Sequence, residues 1–221
     1  MSTRNACSPV VVYRPFEEAD LVHVSRIIAD IWWPIAADEP SRELFGKADF
    51  AGFYQHATFS RVAVVDGVPA GIVLARAGRP DPAHQAAWRE RAALTERLIA
   101  ATAPEEAAHM EQYLSREERI DAQLLAQSGC SDEFQVLLFA VAPETRGLGV
   151  GKALFGAAER YLADAGAQSA FLFTDTRCTW QFYEHRGMKR AAEVATAPED
   201  RPFLCDEYYV YTTDLTGRAA K

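Results

Sequence analysis

At 221 residues the chain is long enough for one domain with a full core, or for one domain carrying an insertion. Its hydrophobic content of 49% is ordinary for a globular protein. No apolar run is long enough to span a bilayer and the first residues lack a signal-peptide pattern, so a cytoplasmic protein is expected. A net charge of −8 argues against generic nucleic-acid binding, which wants a basic surface; it suits solubility and is compatible with a cationic small molecule.

In chain order, residues 10–13 read as a first strand. Pro15, Glu17, Glu18 and Asp20 then open a helix with Leu21, Val24, Ile27, Ile28 and Ile31 on one face. Trp32, Trp33 and Pro34 end it, and a second helix is predicted over residues 42–56. Residues 61–65, the Asp66-Gly67 turn and residues 68–76 read as a β-hairpin. Residues 77–132 follow as a long, mostly helical segment. In it Ala87, Leu94, Leu98 and Ala101 recur at helical spacing, and Thr102 to Glu105 resembles a capping box with Pro104 in the first turn. Met110, Tyr113, Leu114, Ile120 and Leu124 mark a further apolar face, Ser115 and Glu118 are candidate points for a break, and Gly129 is a C-cap. Apolar stripes need a surface to bury against. Packing on the chain's own sheet, lidding a site and homodimer formation all meet that need. The four cysteines, Cys7, Cys130, Cys178 and Cys205, are widely spaced and lack zinc spacing, which predicts reduced, structural thiols and no metal.

The most informative stretch is residues 134–154, FQVLLFAVAPETRGLGVGKAL. An apolar strand is stopped by Pro143, a glycine-rich loop follows, and a helical pattern starts at Lys152. Such a loop presents unpaired backbone N–H groups at the positive end of a helix dipole, which is an anion site. A nucleotidase P-loop needs glycine where Arg146 stands and Ser or Thr where Ala153 stands. A dinucleotide fingerprint needs G-x-G-x-x-G, whereas this loop has G-x-G-x-G. What remains is R-x-x-G-x-G, built by Arg146, Gly149 and Gly151. Residues 170–174 (AFLFT) read as another strand, residues 180–188 read WQFYEHRGM, residues 197–202 read as a loop, and residues 204–213 read as a last strand with Tyr209 and Tyr211 on one face.

The R-x-x-G-x-G loop resembles the pyrophosphate-binding motif of the GNAT superfamily of acetyl-CoA-dependent N-acetyltransferases. WQFYEHRGM is similar to that family's C-terminal helix signature, with Met188 in place of the usual aromatic residue. The likeness is good over residues 134–215, and over residues 10–76 it rests on element order. It implies one α/β domain over residues 1–221: a mixed, mostly antiparallel twisted sheet flanked by helices, with a helical insertion at about residues 77–132 before the cofactor-binding strand. It implies acetyl transfer from acetyl-CoA to a primary amine, on a small molecule or a peptide, by direct attack in a ternary complex. No metal, nucleic acid or membrane is expected. A non-catalytic acyl-CoA-binding regulatory module and a transferase of longer acyl chains are the alternatives.

The same resemblance places acetyl-CoA on Arg146, Gly147, Leu148, Gly149, Gly151 and Lys152, with the backbone of Phe139 and Val141 along the pantetheine arm. Thr176, where the family often has asparagine, adds a hydroxyl. Tyr183 is the expected acid for the leaving thiolate. The demand for a base depends on the acceptor. A lysine-like amine costs about 4–5 kcal/mol to deprotonate at pH 7, an α-amine about 1–1.5 kcal/mol. Gln135 occupies the family's glutamate position and cannot take a proton. Glu133, two residues earlier and on the same face by strand periodicity, is either the base or a solvated strand-start carboxylate. His185 is expected at the surface. Trp32, Trp33, Asp38 and Glu39 lie where the family often binds acceptors, and aromatics with carboxylates suit a cationic amine.

Overall fold

The computed structural model describes residues 9–33, 39–202 and 204–217. Seven strands form one sheet in the order β1-β2-β3-β4-β5-β7-β6. They are β1 (Val11–Arg14), β2 (Phe59–Val65), β3 (Val68–Ala77), β4 (Phe134–Val141), β5 (Ser169–Asp175), β6 (Lys189–Ala195) and β7 (Glu207–Asp214). The helices are α1 (Leu21–Trp32), α2 (Glu39–Tyr54), α3 (Pro82–Thr102), α4 (Pro104–Ser128), α5 (Val150–Asp164) and α6 (Gln181–His185). Every neighbouring pair is antiparallel except β4 and β5, which run parallel and share a single registered pair, Gln135 with Phe171.

The β2–β3 hairpin forms for the reason its sequence suggests. Asp66 and Gly67 both take positive φ, 50° and 85°, as a two-residue turn matched to strand twist requires. The two faces of the sheet bury different partners. On one, Val73, Ala75 and Val136 pack under Leu154, Phe155, Ala158 and Leu162 of α5. On the other, Val62, Ile72, Leu74 and Leu138 pack under Val24, Ile28 and Phe50 of α1 and α2. A bulge where Leu74 and Ala75 meet Leu138 and Val136 switches the alternation of β4 between these faces. α1 and α2 approach closely at Gly46, where a Cβ would stand 2.0 Å from the carbonyl oxygen of Ser25.

Residues 77–132 form the expected helical pair, with three corrections. α4 runs unbroken past Ser115 and Glu118. No capping box forms at Thr102: the junction residue is Ala103, and the Thr102 hydroxyl donates back to the Leu98 carbonyl at 2.8 Å. The buried stripe of α3 is Trp88, Ala92 and Ile99, while Leu94 and Leu98 are 52% and 49% exposed. The reason is that α3 lies against α2, where Phe16, Phe50, Tyr54 and Trp88 form an aromatic cluster with centroids 4.7–6.1 Å apart. Gly129 caps α4 with φ of 64°.

α4 spans the sheet. Its first half joins Ile99, Phe45 and Ala48 through Met110, and its second half joins Phe171, Leu204, Tyr208 and Val210 through Leu124. The edge strand β6 is an element that the sequence pattern hides. Its residues alternate only weakly, with Arg190, Ala192 and Val194 half-buried between exposed neighbours.

Leu124 is fully buried, so Leu124→Ala is expected to cost about 2–5 kcal/mol in denaturant unfolding, and Leu98→Ala less than about 0.5 kcal/mol. Gly46→Ala forces α1 and α2 apart and is expected to cost about 1–3 kcal/mol. Equal effects from Leu124→Ala and Leu98→Ala would contradict this assignment of the α3 and α4 faces.

Candidate active site

The site lies where β4 and β5 part. Beyond Gln135 and Phe171 the two strands share no further registered pair. The Ala142 amide donates to the Ala70 carbonyl at 2.9 Å, so by strand alternation the backbone groups of Ala140 also face β3. Those of Phe139 and Val141 therefore face β5, across the gap.

At the mouth of the gap a short 3₁₀ turn, Pro143–Thr145, leads into the glycine loop. Gly147 and Gly149 have φ of 85° and 73°, a region that L side chains rarely adopt. Gly149 is the N-cap of α5 and supplies no side-chain cap. The amides of the first helical turn, at Val150, Gly151 and Lys152, thus keep no intrahelical partner. Arg146, Gly147, Leu148, Gly149 and Lys152 are exposed. A methyl on Gly151 would touch Phe139, Val141 and Phe182 at 3.4–3.9 Å, so this glycine draws the loop, β4 and α6 together.

α6 is only five residues long and is held by aromatic packing. Phe182 lies 5.2 Å from Phe139 and 5.7 Å from Phe155; Tyr183 lies 5.8 Å from Phe155 and 5.6 Å from Tyr211. Arg186 covers Phe155 and Phe182 and pairs with Glu159, a carboxylate that also accepts from Thr213 at 3.2 Å. These contacts bury Tyr183 to 8% exposure. Burial is the main cause that raises its phenol above the ordinary range, with Cys178 and Asp175 adding to it, so the hydroxyl keeps its proton. Asp175 ends β5 and accepts from the amides of Arg177 and Cys178 at 2.6 and 3.2 Å, which fixes the turn before α6. Burial and Asp175 push the Cys178 thiol up to about 12, as a structural thiol requires. The Thr174 hydroxyl stands beside Tyr183 and Cys178 and favours their ionised forms, yet it is buried with no hydrogen-bond partner of normal geometry.

The remaining sequence-derived candidates fall in different places. The Thr176 amide donates to the Glu207 carbonyl at 3.1 Å, and the residue is half-buried beside the site. Trp32 packs with the α1–α2 core. Trp33 donates from Nε1 to Asp49 at 2.6 Å, stacks on Phe45 and meets Tyr113 of α4 edge-on at 5.8 Å. Asp38 lies outside the described residues, as does the side chain of Glu39, which begins α2. His185 is exposed as expected. Glu133 is a correction. It is exposed at the far end of β4, lining a shallow cavity with Cys130, Gln168 and Phe171. Since β4 and β5 are in register at Gln135 and Phe171, Glu133 and Asp175 are some six residues apart along the strands, roughly 20 Å at about 3.3 Å per residue. Glu133 thus lies at the end of the strands away from the glycine loop and from the turn before α6. Gln135 is occupied by a hydrogen bond from Arg76 at 3.0 Å.

Two other carboxylates approach Asp175 at this end of β5, and a third, Asp49, approaches one of them. Glu117 and Asp121 of α4 interact with each other and with Asp175, and Glu117 also feels Asp49 of α2. Burial pushes Asp49 up to about 7, Glu117 to about 8 and Asp121 to about 7. Tyr113 donates to Glu117 at 2.7 Å. Reading α4 for its apolar face alone passes over these residues. The signal that finds them is the stripe Met110, Tyr113, Glu117, Asp121 and Leu124, in which two half-buried carboxylates stand between buried Met110 and Leu124. Leu114, counted on that face from the sequence, is instead 38% exposed.

Comparison with known proteins agrees with this geometry. The profile of the Acetyltransferase (GNAT) family matches residues 26–188. No curated protein sequence matches the chain. Among solved structures, SsHAT aligns with a TM-score of 0.62 at 22% identity, covering 94% of this chain and 100% of that one. A mosquito arylalkylamine N-acetyltransferase-like protein (5b) aligns at 0.56 and 17% identity, covering 93% and 100%. Ard1 from Thermoplasma volcanium aligns at 0.53 and 15%, covering 96% and 99%. At these identities the structures speak for the fold, and the family profile, spanning most of the sequence, places the chain: it belongs to the GNAT acetyltransferase family.

Proposed function

We propose that this protein transfers an acetyl group from acetyl-CoA to a primary amine by direct attack in a ternary complex. The observation that carries the reading is the gap between β4 and β5, with bare helix amides at its mouth and a buried tyrosine at its side. Arg146 and the backbone of Gly147, Leu148, Gly149, Gly151 and Lys152 hold the pyrophosphate, because unpaired N–H groups and a helix dipole favour an anion. Phe139 and Val141 offer free backbone groups to the pantetheine amides, in the manner of an added strand. Thr176 contributes its hydroxyl beside them. Trp33 lies on the acceptor side.

Acetyl-CoA supplies the reactive thioester. The protein's task is then to hold the two reactants together and to manage protons. Tyr183 is the acid: burial keeps it neutral, and its O–H is the donor for sulfur as the carbon–sulfur bond breaks and negative charge gathers there. The same apolar surroundings raise the cost of a bare thiolate, which favours proton transfer from the phenol to sulfur as it departs.

Release of free CoA thiol across a panel of amines, diamines, amino acids and peptides tests this reading, and acetylated product from at least one class is expected. Tyr183→Phe is expected to lower kcat by about 100-fold with little change in acetyl-CoA affinity. Unchanged turnover would remove Tyr183 from the mechanism. Gly149→Val strains the loop at its left-handed residue and is expected to weaken acetyl-CoA binding about tenfold in calorimetry. Tight acetyl-CoA binding with no product from any acceptor would mark a binding module instead.

A further inference from the structure

Resting on the reading of Tyr183 as the acid, we propose that Glu159 and Arg186 are positioning residues for the reaction. Their buried ion pair fastens the helix that carries Tyr183 to the helix that opens at the glycine loop, and so sets the phenol against the bound donor. α6 has five residues, too few to stay helical without outside support. Its place, and that of Tyr183, is decided by what grips it.

Two grips are present. The inner one runs from Arg186, the C-cap of α6, to Glu159 of α5. The side chains are 18% and 6% exposed, respectively. The other oxygen of Glu159 accepts from Thr213 of β7 at 3.2 Å. The guanidinium lies 4.9 Å from the Phe155 ring and 5.6 Å from that of Phe182. Those same two rings stand 5.8 and 5.6 Å from the ring of Tyr183. Ion pair, ring faces and phenol are thus one packed unit. The outer grip joins Glu184 to Arg190 of β6 at 3.0 Å and to the hydroxyl of Tyr211 at 2.8 Å. There Glu184 is 46% exposed, and solvent weakens such a pair. The inner grip is the stiffer of the two, because parting its members leaves a buried charge alone.

Two apolar side chains would fill the same space without the cost of desolvating charge. What the pair adds is direction: a guanidinium is a planar fork that meets a carboxylate in few orientations and lies flat on aromatic faces. Direction matters because of where α5 begins. Its first amides are the unpaired ones at the glycine loop, and Glu159 sits on the same helix, about 14 Å further on at about 1.5 Å per residue. One rigid element therefore carries both the anion-binding end and the anchor of the acid. Neither residue gives or takes a proton in the reaction; both act through Tyr183.

The test is a double-mutant cycle with Tyr183→Phe. Glu159→Gln and Arg186→Gln made together nearly keep the size of the carboxylate side chain, shorten the other, and leave no charge unpaired, so the combined variant is expected to fold. With the best amine of the panel above it is expected to lower kcat about tenfold, with KM for acetyl-CoA within about twofold of wild type, as a small displacement of the acid requires. In the Tyr183→Phe background the same two substitutions are expected to change kcat by less than about twofold, because the group they orient is gone. A role in stability alone would lower activity by the same factor in both backgrounds. A second readout needs no acceptor. The amides of Arg186, Gly187 and Met188 donate to carbonyls of α6, and in the combined variant they are expected to exchange with deuterium roughly tenfold faster, with β3 and β4 unchanged.

Wild-type kcat in the folded combined variant, equal losses in the two backgrounds, or unchanged exchange in α6 would overturn the positioning role and leave the transferase reading intact. A Tyr183→Phe enzyme as fast as wild type, or product from no amine at all, would remove the reading of Tyr183 and this proposal with it.

Discussion

A single parallel seam organises this molecule. Strands that run antiparallel can stay paired along their whole length through tight turns. β4 and β5 run parallel and are linked instead through the glycine loop and α5. They touch at one registered pair and then diverge. Divergence leaves backbone donors and acceptors in the interior of a sheet, where unpaired groups are costly. The rest of the architecture makes that opening tolerable: bulky aromatics from α5 and α6 wall one side, α1 and α2 wall the other, and α4 runs from α2 and α3 to β5 and β7.

Charge is unevenly placed around the carboxyl ends of β4 and β5. After β4, a helix start without a side-chain cap gathers N–H dipoles, with Arg146 and Lys152 exposed nearby. At the end of β5, Asp175 is close enough to Glu117 and Asp121 of α4 to raise their pKa values. The net charge of the chain says nothing of this polarity, which only the folded arrangement creates.

The donor half was legible in the sequence because its physics is local. A strand, a loop of glycines at forced φ values and a helix start are consecutive in the chain, so R-x-x-G-x-G and the nearby Tyr183 could be read directly from residues 134–188. The neighbourhood of Asp49, Glu117, Asp121 and Asp175 was not, because α2, α4 and β5 are brought together only by tertiary packing. Periodicity correctly gave α3 and α4 as helices. It misjudged which face of α3 is buried, since two apolar stripes compete there and contact with α2 decides between them. Glu133 directly precedes β4, at the end away from the glycine loop, and the alternation that fixes a side chain's face carries no information on that distance. Trp33 was picked out for its place in the chain, and its bond to Asp49 could not have been anticipated without the fold.

The unbroken course of α4 has a bearing on how the helical insertion is held. Met110 anchors the helix on α2 and α3, and Leu124 anchors it on β5 and β7. A substitution that loosens one anchor leaves the other seated, so the two ends of this long helix can weaken separately.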